Sequence, residues 1–337
     1  MPRLAILKGG DRLENINNVL GLIGSDIDRA IETKGSDSLF IKVNAIDTHF
    51  PLAVTRPEAL DTVIRYFYDK FERIVVGDNS FVFKKYMDTN IYSHFPKLFK
   101  KVELSDLTNF GSKPIEFLQL NGSVVTGSIS TLPKEMFSIS MSLPKTHDTF
   151  VFTGCSKNGM GCVLTKRPYV HAMELNERLI VKKVIRSNAV NKINLVNVIE
   201  ASYPDLSILD GYVGMEGNGP MFGTEIPLGI AMCSTDSIAL DTVMANLTGL
   251  GYVPYLPLCH DKGLGTMDVE EMDIVKKGFD DFAEIYSEFK PHPHAKYQTM
   301  VESPFSMPKI DFHLFFGIAR RFHRVKDKVF EEMANTN

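Results

Sequence analysis

Between residues 38 and 80 two strand-like runs flank a strongly marked helix, and this spacing constrains the fold more than any other stretch. SLFIKVNAI reads as one strand and ERIVVGDNS as the next. In VTRPEALDTVIRYFYDKF between them, Thr55 as N-cap with Glu58 three residues later predicts a capping box, and Pro57 suits the first turn. Leu60, Val63, Ile64, Phe67 and Phe71 recur at helical spacing and predict one buried face. Strands joined through a helix lie parallel, because only a long crossover returns the chain to the same end of the sheet. Residues 37–80 are therefore expected to form a β-loop-α-β unit.

The remaining chain continues this alternation. RLAILK opens as a strand, and Asn15 to Ile31 predicts a helix interrupted by glycines. KVELSDL, EFLQLNG, MFSISMSLP, TFVFTG, DLSILD and PLGIAMCS are further strands, and Val181 to Tyr203 is a helix. Ser234-Thr235-Asp236 caps the helix SIALDTVMANLTG. The expected class is α/β, with a mixed, largely parallel sheet flanked by helices over residues 1–285, as one domain or two subdomains. Residues 286–337 are expected to be a proline-bearing connector (KPHPH, SPFSMPK) and a C-terminal amphipathic helix, Phe312 to Met333. There Phe315, Ile318, Phe322, Val325 and Val329 make an apolar face beside Arg320, Arg321, Arg324, Lys326 and Lys328. Docking of that helix on the main domain or on a second subunit of a homo-oligomer is expected, with a membrane surface as the alternative.

A formal net charge of -4 and a pI near 6.2 argue against a nucleic-acid partner, whose phosphates favour a basic surface. The N-terminus has only a short apolar run before charge returns, so no signal peptide or transmembrane segment is expected and the protein is read as cytoplasmic. Cys155, Cys162, Cys233 and Cys259 contain no Cys-x-x-Cys pair, which removes the zinc-ribbon and ferredoxin patterns and suits small buried side chains.

Polar residues gather where strands end: Lys42 and Asn44, then Lys145 and His147, then Lys157 and Asn158, then Asp210 opening the run DGYVGMEGNGPMFG. Ligands of open α/β sheets bind outside the carboxyl ends of the strands. These groups are expected to line one crevice for a small anionic ligand, a carboxylate or a phosphate. Lys145 and His147 are the catalytic candidates. Lys42, Asn44, Lys157, Asn158 and the backbone of Gly214, Gly217 and Gly219 are the substrate-binding candidates, the glycine run forming a loop that closes over the crevice. Asp210 and Glu216 are candidates for a divalent metal. The run fits neither the dinucleotide fingerprint nor the P-loop.

The series KVN, TRPEAL, VVGDNS, LPKTHD, SKNGMG, ILDGYVGMEGNGP, STDSIALD and a GLG after residue 262 resembles the family named domain of unknown function 362, over roughly residues 38 to 275. Many members of that family carry an appended four-cysteine iron–sulfur domain, which implies redox surroundings; the four-cysteine pattern is not found in this sequence. VTRPEAL is also similar to a stretch of the lactate racemase catalytic domain, too short to carry cofactor residues over. Two classes stay open. One is an enzyme acting on a small anionic metabolite. The other is a non-catalytic redox or iron–sulfur accessory protein, with Cys155 and Cys162 supplying thiolates; the cluster is the less favoured cofactor.

Overall fold

The structure, a computed structural model, describes residues 1–46, 50–79, 91–119, 121–165, 180–293 and 295, with backbone only over 180–189. In chain order come β1 (Arg3–Lys8), α1 (Arg12–Leu22), α2 (Gly24–Lys34), β2 (Ser38–Lys42), α3 (Pro57–Phe67), β3 (Arg73–Asp78) and β4 (Val102–Asp106). There follow β5 (Ser112–Leu118), β6 (Val124–Ser130), β7 (Phe137–Ser142), β8 (Lys145–His147), β9 (Val151–Thr153) and α4 (Ile180–Ala201). Last are β10 (Leu206–Glu216), β11 (Thr224–Ser234), α5 (Ser237–Leu247), α6 (Leu256–Asp261) and β12 (Asp273–Lys277). The proposed C-terminal helix lies outside the described residues.

The main sheet runs β12-β1-β11-β10-β7-β2-β3-β4, with β8 and β9 attached beside β10. Strands β10, β7, β2, β3 and β4 are mutually parallel, whereas β11 pairs antiparallel with both β10 and β1. The expected mixed, largely parallel sheet is thus observed, and β5 and β6 form a separate antiparallel pair.

Alternation along the strands divides the core, since successive side chains leave opposite faces. Leu39, Ile41, Ile74 and Val76 pack with Ile16 and Val19 of α1 and with Leu60, Val63, Ile64 and Phe67 of α3. Leu4, Ile6, Leu209 and Met232 pack instead with Ile238, Leu240, Val243 and Met244 of α5 and with Leu195 and Ile199 of α4. The sheet is therefore covered by helices on both faces. Among the described residues no helix is long and apolar enough to cross a membrane.

Two local readings need correction. Thr55 does not cap α3: the helix starts at Pro57 without a side-chain cap, and the Thr55 hydroxyl accepts the Asn44 N–H (2.7 Å) and donates to the Met141 carbonyl (3.0 Å). Glu58, freed from any box, holds Arg12 (2.7 Å) and Arg56 (3.0 Å). The run 210–223 is not one long loop either. Strand β10 continues to Glu216, opposite Thr224, so that the first half of the run is sheet and residues 217–223 are a hairpin tip.

The cap of α5 is as expected. Asp236 Oδ1 accepts from Ile238 N (2.9 Å) and Ala239 N (2.8 Å), while its Oδ2 accepts from Thr266 N (3.0 Å). Asp236→Ala is expected to lower stability by about 1–2 kcal/mol, the usual cost of a lost N-cap, and Asp236→Asn by less. Urea unfolding of the three proteins measures both differences.

Candidate functional site

The parallel strands change direction of travel between β2 and β7. From β2 the chain moves to β3 and β4 on one side, then returns to add β7 and β10 on the other. Switch points of this kind are where open α/β sheets bind their ligands. Lys42 ends β2, Asn44 follows it, and Lys145 starts β8 three residues after β7, so the switch brings all three to one place.

Their side chains form one buried network. Lys42 Nζ lies 3.0 Å from Asp78 Oδ1 and donates to the Val43 carbonyl (2.7 Å) and to Asn158 Oδ1 (3.2 Å). Asp78, at the end of β3, also accepts from Ala45 N (2.9 Å) and Asn79 N (2.7 Å). Asn158 Nδ2 donates to the Lys42 carbonyl (3.0 Å) and to Ser140 Oγ (3.1 Å), and its Oδ1 receives Asn44 Nδ2 (3.4 Å) as well as Lys42. Lys145 Nζ donates to Asn44 Oδ1 (2.9 Å). The SKNGMG segment is shaped to this network: a Cβ on Gly161 would overlap both Asp78 Oδ1 and Lys42 Nζ.

Lys145 differs from Lys42 in its neutralisation. Only 1% exposed, it has one hydrogen-bond partner among the described residues, the neutral Asn44 amide oxygen. Burial, and then the charge of Lys157, push its pKa down from the usual 10.5 to about 7, with Asp78 opposing. His147 lies two residues along β8 and shares its face of the strand. Burial and Lys157 lower its pKa to about 4, so the ring is neutral at neutral pH. Its Nδ1 is approached by the amides of Thr149 (3.0 Å) and Phe150 (3.3 Å), which need a lone pair, and by Asp148 Oδ1 (2.8 Å), which needs a proton. The amides suit the neutral ring, and the carboxylate suits the protonated one. Lys157 Nζ stands 5.2 Å from the centroid of the Phe150 ring.

Asp210 and Glu216 are not brought together. Six residues apart on one strand, they are separated by roughly 20 Å at about 3.3 Å per residue. Asp210 is buried against Arg12 (Nε to Oδ1 3.3 Å), and burial raises its pKa against the pull of that guanidinium. Glu216 instead accepts the Lys290 amide (2.8 Å) and pairs with its ammonium (3.2 Å). Among the described residues no group of three or more His, Cys, Asp or Glu is arranged to hold a metal ion.

The glycines serve close packing. A Cβ on Gly214 would press on Phe289, and one on Gly219 would overlap the Thr146 carbonyl. Gly217, with φ +74°, makes the turn that starts the tip; its carbonyl accepts Thr146 Oγ1 (2.9 Å). The tip thus lies on β8, on the side opposite Lys145 and His147, and its Phe222 meets Phe50 edge-on at 5.0 Å. Cys155 and Cys162 are buried, and burial raises both thiols, Cys162 to about 12. Both border a small cavity of about 10 Å³, also lined by Lys42 and Ser140, too small for an anionic ligand.

Asp78 was the partner the sequence reading missed, although it is the last residue of β3 within ERIVVGDNS; nothing local announces that Lys42 lies beside it. A buried pair that loses one member leaves an uncompensated charge. Asp78→Ala is expected to cost about 3–5 kcal/mol. Adding Lys42→Met to Asp78→Ala should recover most of that loss. Thermal and urea unfolding of the single and double variants test the pair.

Residues 39–246, well over half of the chain, match the family model described as Domain of unknown function (DUF362). The thylakoid-associated protein sll1697 of Synechocystis sp. (strain ATCC 27184 / PCC 6803 / Kazusa) is 35% identical over 114 residues, 33% of this chain and 33% of that protein. The match thus spans about a third of that relative's length. Among solved structures, the lactate racemase apoprotein from Thermoanaerobacterium thermosaccharolyticum aligns with a TM-score of 0.39 at 12% identity, over 75% of this chain and 57% of that one. That likeness is too distant to assign residue roles. With the matched span running from β2 into α5 and enclosing the whole buried network, the chain belongs to the domain of unknown function 362 family.

Proposed function

We propose that the protein is a cytoplasmic enzyme acting on a small carboxylate- or phosphate-bearing metabolite, bound above the β2/β7 switch point. Lys145 is its principal cation, and His147 is a neutral hydrogen-bonding group beside it. The observation that carries this reading is Lys145 itself, a fully buried ammonium whose described partner is an uncharged amide oxygen. Burying a cation without a counter-charge is costly, and an anionic ligand removes that cost. Lys42, Asn44, Lys157 and Asn158 surround it and supply further donors. Because Lys145 is only 1% exposed, the ligand enters when the segments covering it move.

A redox accessory role has less support. Cys155 Sγ is engaged as a donor to the Ile208 carbonyl (3.3 Å), and raised thiol pKa values oppose the thiolate that a cluster requires. A divalent metal shared by Asp210 and Glu216 is likewise unsupported by their separation.

Protonation fixes the pH dependence. Since the folded state lowers the Lys145 pKa from 10.5 to about 7, folding releases a proton between those values, and this group's contribution to stability rises with pH through that window. Anion binding has the opposite sign, because it favours the ammonium. Calorimetry with inorganic phosphate and short mono- and dicarboxylates should find binding at pH 6 that weakens about tenfold or more by pH 9. Lys145→Met should abolish it. If no anion of either class binds, or if Lys145→Met binds undiminished, the proposal fails.

A further inference from the structure

The carboxylate of Asp241, on α5, is completely buried and takes no part in the network above. Its Oδ1 accepts the Cys155 amide (2.8 Å), and its Oδ2 accepts the Ser156 amide (2.9 Å) together with the Ser156 hydroxyl, in a short hydrogen bond. Gly154 is fitted to it, since a Cβ there would overlap Oδ1. The clamped residues lead directly into Lys157 and Asn158, and Ser140 Oγ holds the same turn from β7 by donating to the Cys155 carbonyl (2.7 Å). We infer that Asp241 is the positioning residue of the proposed anion site, setting from α5 the turn that presents Lys157 and Asn158 to Lys145, His147 and Lys42. As to the ligand, this rests on the function proposed above; as to the placement of Lys157, it does not.

Three donors on one carboxylate hold two consecutive backbone amides and one hydroxyl, so the turn has little freedom to rotate. Side-chain carboxylates that receive backbone N–H groups are among the stronger local anchors in proteins. The charged and titratable groups acting on Asp241 are Asp236, Ser156 through its hydrogen bonds, and the nearby Tyr255, Cys155 and Cys259. Those acting on His147 are Lys157, Asp148 and His292. Lys157 is thus the link through which a displaced turn becomes measurable at His147.

The test titrates the His147 ring by NMR in the full-length wild type, in Asp241→Asn and in Ser156→Ala, with the exposed His94 as internal reference, and measures the affinity for inorganic phosphate in parallel. Asp241→Asn keeps the shape of the side chain but puts an amide where two backbone donors point. The His147 midpoint, near 4 in the wild type, is expected to rise by about one unit towards its ordinary 6.5 as Lys157 shifts away. Phosphate should bind about tenfold more weakly, the equivalent of one or two lost hydrogen bonds. Burial raises the Asp241 pKa to about 6, so the group is largely protonated where His147 titrates and the loss of its charge moves that midpoint little; a rise therefore reports a moved Lys157. An unchanged or lowered midpoint in folded Asp241→Asn overturns the inference. A raised midpoint in a protein whose wild type does not bind phosphate upholds the positioning role and counts against the anion reading. If Asp241→Asn does not fold, Ser156→Ala, which removes one donor of the three, is read by the same sign: a rise supports the inference and no rise overturns it.

Discussion

The Lys42–Asp78 ion pair is the constraint on which the rest of the site depends. Two charges removed from water lose several kcal/mol each in hydration, and their attraction repays this only where the remaining hydrogen-bonding groups are also satisfied. Here they are: the carboxylate receives two backbone amides, and the ammonium reaches a carbonyl and the Asn158 side chain. To satisfy the pair the chain must bring together the ends of β2 and β3 and the SKNGMG turn, and it must leave position 161 without a Cβ. Once Asn158 is fixed in this way, it orients Asn44, and Asn44 in turn receives Lys145. The uncompensated lysine is therefore held by a chain of contacts that begins at a compensated one.

Much of the architecture was legible because its causes are local. Apolar runs of five or six residues became β1, β2, β3 and β7, and Asp236 capped α5 because a short side-chain acceptor before a helix has two free amides within reach. The placement of Lys42 and Asn44 at the end of β2 was also readable, since a strand end can be located without knowing its partners, whereas Lys145 and His147, read as following a strand, form the short strand β8. Thr55 shows where this stops. It has the chemistry of an N-cap, but its hydroxyl finds the Asn44 amide and the Met141 carbonyl, contacts that exist only once β2 and β7 are neighbours.

The glycine run was misread for a related physical reason. Glycine weakens an isolated strand, so five of them suggest a loop. In the folded protein Gly211 and Gly214 make room for Ile230 and Phe289, which approach from β11 and from beyond β12, and antiparallel pairing with β11 restores the strand. Asp78, Arg12 and Asp241 escaped notice because their partners are remote in sequence; Asp241 and Cys155, for example, are 86 residues apart. No periodicity or spacing announces such a contact.

The central claim is that Lys145 is an under-neutralised ammonium awaiting an anion. It is tested most directly by following the lysine Nζ resonances of isotopically labelled protein through a pH titration, with Lys145→Met to assign the signal. The account predicts a midpoint for Lys145 near 7 that moves upward when inorganic phosphate or a short carboxylate is added. A midpoint near the ordinary lysine value of about 10.4, unmoved by either anion, would contradict it.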